Sequence, residues 1–318
     1  MMAAATTKVK EIILPIINTE SVVYGVLPYF HAGGLLTTFC LLALGAHIIV
    51  NKKFNVKHFY DVIFNYKVTV LNVVPTILQT ILNCDREIDQ KLCSLEYIFV
   101  GSSKTDPELI DRLKKHYDID IQLILVYGST ETGAINFMHP VHCRTRLGSC
   151  GILMPGNKAK VINLKNGKCC NSLEIGELWL QTPAIKKINN EWYRTGDLAY
   201  YDQDGYFYIK GRVKDLIKVR GWQVSPIELE EEILKLAGVK ECAVVGVPDE
   251  VSGQVPKAYV VINKESKLTK NHINDIIRSK FSSYKQLAGG IEFIDELPKT
   301  ASGKVSKHLL LEKLSRSN

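Results

Sequence analysis

Four short segments carry residue types suited to handling a phosphorylated ligand, and they follow one another along the chain. Tyr127-Gly128-Ser129-Thr130-Glu131 comes directly after the apolar run IQLILV. Glycine there lets backbone approach a ligand, Thr130 offers a hydroxyl, and Glu131 offers a carboxylate suited to a hard cation. Tyr193-Arg194-Thr195-Gly196-Asp197 brings a carboxylate whose two oxygens can accept from both hydroxyls of a ribose. The segment from Gly211 to Val224 places Arg212, Lys214, Lys218 and Arg220 between two glycines and around a composition change. A few loop residues of this kind can absorb the backbone rotation of a hinge. Leu297-Pro298-Lys299-Thr300-Ala301-Ser302-Gly303-Lys304 adds two lysines, and a flexible ammonium can neutralise developing phosphate charge. Taken singly, these are also a polar turn, a turn residue, a solvated charge run and a basic tail. Neither the last loop nor Gly101-Ser102-Ser103-Lys104-Thr105 meets G-x-x-x-x-G-K-[ST], which excludes a P-loop nucleotidase.

The elements around these segments alternate. SVVYGVLPYF, VTVLNVV, LEYIFVG and IQLILVYG read as strands, with helical stretches from Thr76 and from Pro107 to His116 between them. Short β-rich runs spaced by helices predict a mostly parallel α/β sheet. The apolar stretch LLTTFCLLALGAHIIV, residues 35 to 50, reads as a buried core helix. From 145 to 210, short strands punctuated by MPGN, NGK and DQDG predict a small antiparallel β subdomain. Ser225-Pro226-Ile227-Glu228 reads as a capping box opening a helix with Leu229, Ile233 and Leu236 on one face. ECAVVGVP, KAYVVIN, a helix near 270–282 and a lysine-bearing tail complete a second α/β domain. The expected division is 1–211 and 212–318.

Composition narrows the function classes. Of 318 residues, 46% are hydrophobic and 23% charged, as in an ordinary globular protein. The net charge of +7 is spread without a dense basic stripe, so nucleic-acid binding gains little from it. Eight cysteines form no C-x-x-C pair, which argues against a zinc ribbon or disulfide scaffold and for a reducing compartment. The run from 35 to 50 is short for a bilayer and carries His47, so no transmembrane segment is expected. The carboxyl end, SRSN, is not the S-K-L peroxisomal address.

In this order and spacing, YGSTE, YRTGD, GRVKDLIKVRGWQVSPIELE and LPKTASGK closely resemble the adenylate-forming enzymes. That superfamily includes 4-coumarate–CoA ligases, acyl-CoA synthetases and luciferases. Gly25-Val26-Leu27-Pro28-Tyr29-Phe30-His31 resembles its "LPxFH" segment, and the likeness runs from about residue 20 to about 312. The resemblance implies a large adenylate-forming domain and a smaller carboxyl-terminal α/β domain. It implies ATP-dependent activation of a fatty or aromatic carboxylic acid to acyl-AMP, then transfer to coenzyme A, with magnesium. Tyr127, Gly128 and Thr130 would line the adenine and phosphate site, and Glu131 would bind magnesium. Asp197 would hold the ribose with Arg212 beside it. Lys304 would serve adenylation and Lys218 the other half-reaction, the small domain swinging about Lys214. His31 would lie at the acyl/CoA pocket, with Gly221, Trp222 and Gln223 near the pantetheine tunnel. Relatives are peroxisomal or cytoplasmic, and many act in fatty acid metabolism.

Two departures set further expectations. The family's Ser/Thr/Gly-rich phosphate loop ending in Pro-Lys-Gly has no equivalent here, nor does about a domain's worth of upstream α/β sheet. A family Gly-Gly-Ala-Pro-Leu adenine loop stands here as Gly101-Ser102-Ser103-Lys104-Thr105, and the segment between Leu180 and Trp192 is short. The resemblance is thus to an amino-terminally truncated member, with impaired ligase activity expected. An inactive nucleotide- or acyl-binding pseudoenzyme and a luciferase-like monooxygenase are the alternatives.

Overall fold

The computed structural model describes residues 17–317 apart from 52–53, 83–89, 103–104, 106, 117–120, 134, 142–145, 189–190 and 301–304. The chain divides into two compact units, Met1–Thr195 with Ala199–Ile209, and Gly196–Leu198 with Lys210–Asn318.

The first unit begins with parallel strands separated by helices, as the alternating pattern predicts. In chain order these are β1 (Val22–Gly25), α1 (Ala32–Ala43), β2 (His47–Val50), α2 (Val56–Tyr66), β3 (Val70–Val73), α3 (Pro75–Leu82), β4 (Tyr97–Val100), α4 (Pro107–His116) and β5 (Gln122–Tyr127). The strands lie in the order β2-β1-β3-β4-β5, every neighbouring pair parallel. Alternate residues feed opposite faces. Tyr24, Leu71, Ile98 and Leu125 pack with Phe59, Ile63, Leu78 and Ile110 of α2, α3 and α4. Val23, Val70, Phe99 and Ile124 pack on the other face with Cys40 and Leu41 of α1. A sheet covered on both faces requires such nearly continuous apolar strands.

The strand order reverses between β1 and β3, and the carboxyl ends of strands at such a reversal are the usual place for a ligand in an open α/β sheet.

One expected element is corrected. Residues 35 to 50 are not a single buried helix. The helix ends at Ala43, Gly45 takes a left-handed φ of +92°, and His47–Val50 returns as the edge strand β2. Helix α1 also exposes Leu35, Phe39 and Leu42 along one side, at 40%, 40% and 49%.

Beyond β5 the sheet becomes antiparallel through β6 (Phe137–Met138) and β7 (Gly151–Leu153). It continues with β8 (Lys158–Ile162), β9 (Gly176–Gln181), the short helix α5 (Pro183–Ile188), β10 (Tyr193–Tyr201) and β11 (Tyr206–Arg212). Among the described residues this makes one eleven-stranded sheet ending β5-β6-β7-β11-β10-β9-β8. Phe137, Val161, Leu178, Leu180, Ala199 and Phe207 form the core of this part.

The second unit holds β12 (Ile217–Val219), β13 (Trp222–Val224), α6 (Pro226–Leu234), β14 (Val239–Asp249), β15 (Gly253–Ile262), α7 (Lys270–Lys280), β16 (Ile291–Phe293) and α8 (Lys307–Ser317). The long hairpin β14–β15 is its spine. Val244 and Val260 pack against Leu229 and Ile233 of α6, and Val245 and Val261 against Leu297 and Leu310. The tail beyond Lys304 thus forms a helix that its basic composition did not announce.

The capping box is also corrected. Ser225 is the N-cap of α6, but its side chain makes no cap bond. Its Oγ donates instead to the Lys210 carbonyl at 3.2 Å, and both Glu228 oxygens take Lys285 Nζ at 2.7 Å. The returning chain offers each side chain a stronger partner than the helix end does.

At the start of α1, a Cβ on Gly34 would fall 2.2 Å from the Pro28 carbonyl oxygen. Gly34→Ala is therefore expected to destabilise the first unit by about 1–3 kcal/mol. A lowered thermal unfolding midpoint checks it, and an unchanged one contradicts this close approach.

Candidate functional site

Because β1, β3, β4 and β5 are parallel, the loops leaving their carboxyl ends emerge along one edge of the sheet. These loops carry His31, Gly101–Thr105 and Gly128–Glu131. The topology thus gathers residues that lie up to a hundred positions apart in sequence.

After β1 the chain turns through Leu27-Pro28-Tyr29-Phe30 to His31, the N-cap of α1. His31 Nδ1 accepts from the Gly33 N–H at 3.1 Å, which assigns the imidazole proton to Nε2 in the neutral ring. The Asn72 amide of β3 donates to the Gly33 carbonyl at 3.1 Å and ties the helix start to β3. After β4, Gly101 packs against Val126, where an added Cβ would lie 2.6 Å from Val126 Cγ2. Ser102 adopts a φ of +74° and Thr105 is buried; Ser103 and Lys104 lie outside the described residues.

Tyr127 ends β5, its ring set edge-on to Phe137 at 5.6 Å. Gly128, Thr130 and Glu131 are exposed, while Thr132 and Asn136 behind them are 1% and 0% exposed. No group of three or more His, Cys, Asp or Glu side chains is gathered for a metal among the described residues. Glu131 offers this loop one exposed carboxylate, a ligand type that suits a hard cation only together with other oxygen donors.

Strand β10 carries the second motif. Arg194 is fixed across β9 by Glu177, with Nη2 and Nε at 2.9 and 3.1 Å from Oε2, and Trp179 Nε1 donates to the same oxygen at 2.9 Å. Thr195 Oγ1 donates to the Leu178 carbonyl at 2.7 Å. Gly196 then takes a φ of +71°, and the next residue is Asp197. Its side chain is 10% exposed and pairs with Arg212 Nε at 2.9 Å. Strands β10 and β11, neighbours in the sheet, therefore bring together two residues fifteen positions apart that the motif reading set side by side.

The turn joining β10 and β11 is held by its own charge cluster. Asp202 Oδ1 accepts from the Asp204 and Tyr206 amides at 3.0 and 2.9 Å. Its Oδ2 accepts from Tyr208 OH at 3.0 Å and Arg146 Nη1 at 2.9 Å. Arg146 also bonds Asp204 and lies over the Tyr206 ring. No motif marked Arg146; its partner Asp202 was visible only as a turn residue.

In the second unit, Lys214 sits in a 3₁₀ turn, Val213–Asp215, between β11 and β12. Arg220 and Gly221 have φ of +47° and +81°, the two left-handed residues of a tight type I′ hairpin joining β12 to β13. Lys218 and Gln223 are cross-strand partners in it, both exposed. Trp222 is 54% exposed and stacks on Tyr284 with ring centres 4.9 Å apart. Lys304 lies outside the described residues. Of its flanks, Lys299 pairs with Val305 as an antiparallel bridge and binds Glu241 at 2.8 Å, and Lys307 binds Glu230 at 2.7 Å.

Comparison with known proteins agrees with this geometry. Residues 1–187 match the model of the AMP-binding enzyme family, and residues 228–304 that of the AMP-binding enzyme C-terminal domain. The chain belongs to the AMP-binding enzyme family. It is 32% identical over 307 residues to a luciferin 4-monooxygenase of Photuris pensylvanica, covering 92% of this chain and 56% of that protein. It is 34% identical over 299 residues to a probable 4-coumarate–CoA ligase of Dictyostelium discoideum, covering 89% and 54%. The chain thus spans about half the length of these curated relatives. Among solved AMP-binding enzymes, ATP-bound MatB of Rhodopseudomonas palustris superposes with a TM-score of 0.88 at 26% identity, over 98% of this chain and 63% of that one. The o-succinylbenzoate CoA synthetase of Bacillus subtilis, solved with its acyl-adenylate intermediate, gives 0.81 at 25%, over 97% and 64%. No helix of the described residues is long and apolar enough to cross a membrane.

Burial works against ionising Asp202, but the Tyr206 and Asp204 amides, Tyr208 and Arg146 outweigh it and hold the carboxyl below its usual range. The stability this contributes is present above the unfolded value of about pH 4 and is lost as pH falls through the folded one. Asp202→Asn should therefore lower the thermal midpoint most near neutrality and least in acid below the folded value, where wild type is protonated too. An equal gap at both would contradict this role.

Proposed function

We propose that the chain carries the nucleoside- and acyl-binding part of an acid–thiol ligase, an enzyme that uses ATP to convert a fatty or aromatic carboxylic acid to an acyl-AMP and passes the acyl group to coenzyme A, with adenylation by these 318 residues alone impaired. In the first step a carboxylate oxygen bonds to the α-phosphorus and pyrophosphate leaves. In the second, the thiol sulfur replaces AMP at the acyl carbon. The observation that carries this reading is the largely buried Asp197 paired with Arg212 directly after a left-handed glycine. Relatives that are probable 4-coumarate–CoA ligases and a structural neighbour holding an acyl-adenylate support it.

The residues divide the work. Asp197 accepts from the ribose hydroxyls, and Arg212 holds its carboxylate in place. Tyr127, Gly128 and Thr130 line the adenine and phosphates; Glu131 would hold magnesium, which screens phosphate charge when bound. His31, with its proton on Nε2, faces the acyl and thiol side as a neutral donor. Lys304 serves adenylation and Lys218 thioester formation, exchanged by rotation at Lys214. Gly221, Trp222 and Gln223 border the path of the thiol arm. A luciferin-type oxidation begins with the same adenylate and shares these roles.

No Ser/Thr/Gly-rich segment ending in Pro-Lys-Gly occurs in the 318 residues, so these residues are assigned the nucleoside and acyl halves of the ligand. Calorimetry with a non-hydrolysable acylsulfamoyl-adenosine should show saturable binding by this chain. Asp197→Asn should weaken it about tenfold or more, since hydrogen bonds to a charged acceptor are worth about 1.5–3 kcal/mol. ATP–pyrophosphate exchange by the 318-residue chain should stay at background. Absence of binding, or equal binding by Asp197→Asn, would overturn the reading.

A further inference from the structure

The loop between β5 and β6 runs for nine residues, Gly128 to Asn136, and its exposed front is polar and glycine-bearing. Such a segment has little of its own to hold one shape. What holds it here is a buried post. Asn136 is fully buried, and every hydrogen-bonding part of it is tied to this loop or to the strand turn beneath. Its N–H donates to the Tyr127 carbonyl at 2.7 Å. Its side-chain oxygen accepts from Thr132 Oγ1, and its amide donates back to the Thr132 carbonyl at 3.3 Å. Its own carbonyl accepts from the Met154 N–H at 2.9 Å and from the Asn157 amide at 3.5 Å.

The Thr132 hydroxyl has one proton, and Asn136 Oδ1 takes it. The Ser129 hydroxyl, 3.0 Å away, is then the donor to Thr132 Oγ1. A directed chain Ser129 → Thr132 → Asn136 results, running from the exposed front to the strand end. Gly128, Thr130 and Glu131 stand on it, and none of them contributes a side chain to it.

The geometry points to Asn136 as a positioning residue for nucleotide binding: through Thr132 it fixes the loop that presents Gly128, Thr130 and Glu131. It touches no ligand itself. An amide serves both ends of the Thr132 contact without a change of charge, since it accepts from the hydroxyl and donates to the carbonyl. This inference rests on the nucleotide reading of the same loop, but its structural half is independent of any ligand.

The test joins two measurements on the whole chain. Asn136→Leu keeps the volume and removes both side-chain bonds, leaving the Ser129 carbonyl, 3.3 Å from the Thr132 hydroxyl, as that hydroxyl's acceptor. Amide hydrogen exchange in residues 128–133 should rise about tenfold or more, with β3 and β4 unchanged. Affinity for the acylsulfamoyl-adenosine should fall about tenfold or more, the range of one lost buried hydrogen-bond pair. Thr132→Val, which keeps the shape without the hydroxyl, should do the same and serves if Asn136→Leu does not fold; Thr132→Ser should restore both readouts. Unchanged exchange at 128–133 in a folded variant overturns the post. Raised exchange with unchanged affinity overturns its role in binding. If wild type itself fails to bind, the nucleotide reading falls, while the exchange result still decides the post.

Discussion

The ion pair between Asp197 and Arg212 is the constraint on which the arrangement depends. A carboxylate that is 10% exposed must be matched, and Arg212 meets it at 2.9 Å from the neighbouring strand. That contact links β10 to β11 at the point where the two strands carry these residues. It also lies where the chain leaves the large sheet, since Gly211 has a φ of +135° and the 3₁₀ turn holding Lys214 follows at once. Upstream of Asp197, Arg194 and Thr195 are locked across β9; at the far end of the hairpin, Arg146 clamps Asp202 and Asp204. Most polar side chains of the motif are thus engaged by groups of the protein itself.

The same economy holds in the parallel part of the sheet. Only Gly128, Thr130 and Glu131 of the YGSTE segment face outward, and the buried Thr132–Asn136 contact beneath them does the holding. At the start of α1, His31 spends Nδ1 on capping the helix, which leaves the ring proton on Nε2. Fixed donors and acceptors of this sort avoid reorganisation when charge develops on a ligand, which is where much electrostatic stabilisation in catalysis comes from.

Much of this was legible in the sequence. Apolar runs of VLNV, YIFV and QLILVY could only be strands of a doubly covered sheet, and YGSTE after the last of them had to emerge at its ligand-binding edge. The motif order fixed the family before any geometry. What misled was local chemistry with a nonlocal solution. The continuous apolar run over residues 35–50 has no period that separates helix from buried strand, and Gly45 divides it. Ser225 and Glu228 have the spacing of a capping box, but Lys210 and Lys285, distant in sequence, claim them. Asn136 and Arg146 carried no signal, because a buried amide and a clamped guanidinium are recognisable only once their partners are in place.

In the proposed function, Asp197 anchors the nucleoside through its ribose hydroxyls. The most direct measurement compares, by calorimetry, an acylsulfamoyl-adenosine with its 2′,3′-dideoxy counterpart on wild type and on Asp197→Asn. Losing the hydroxyls should weaken binding to wild type about tenfold or more and cost the variant almost nothing further, because the two changes remove the same interaction. Equal binding of both ligands by wild type, or independent and additive losses, would contradict it.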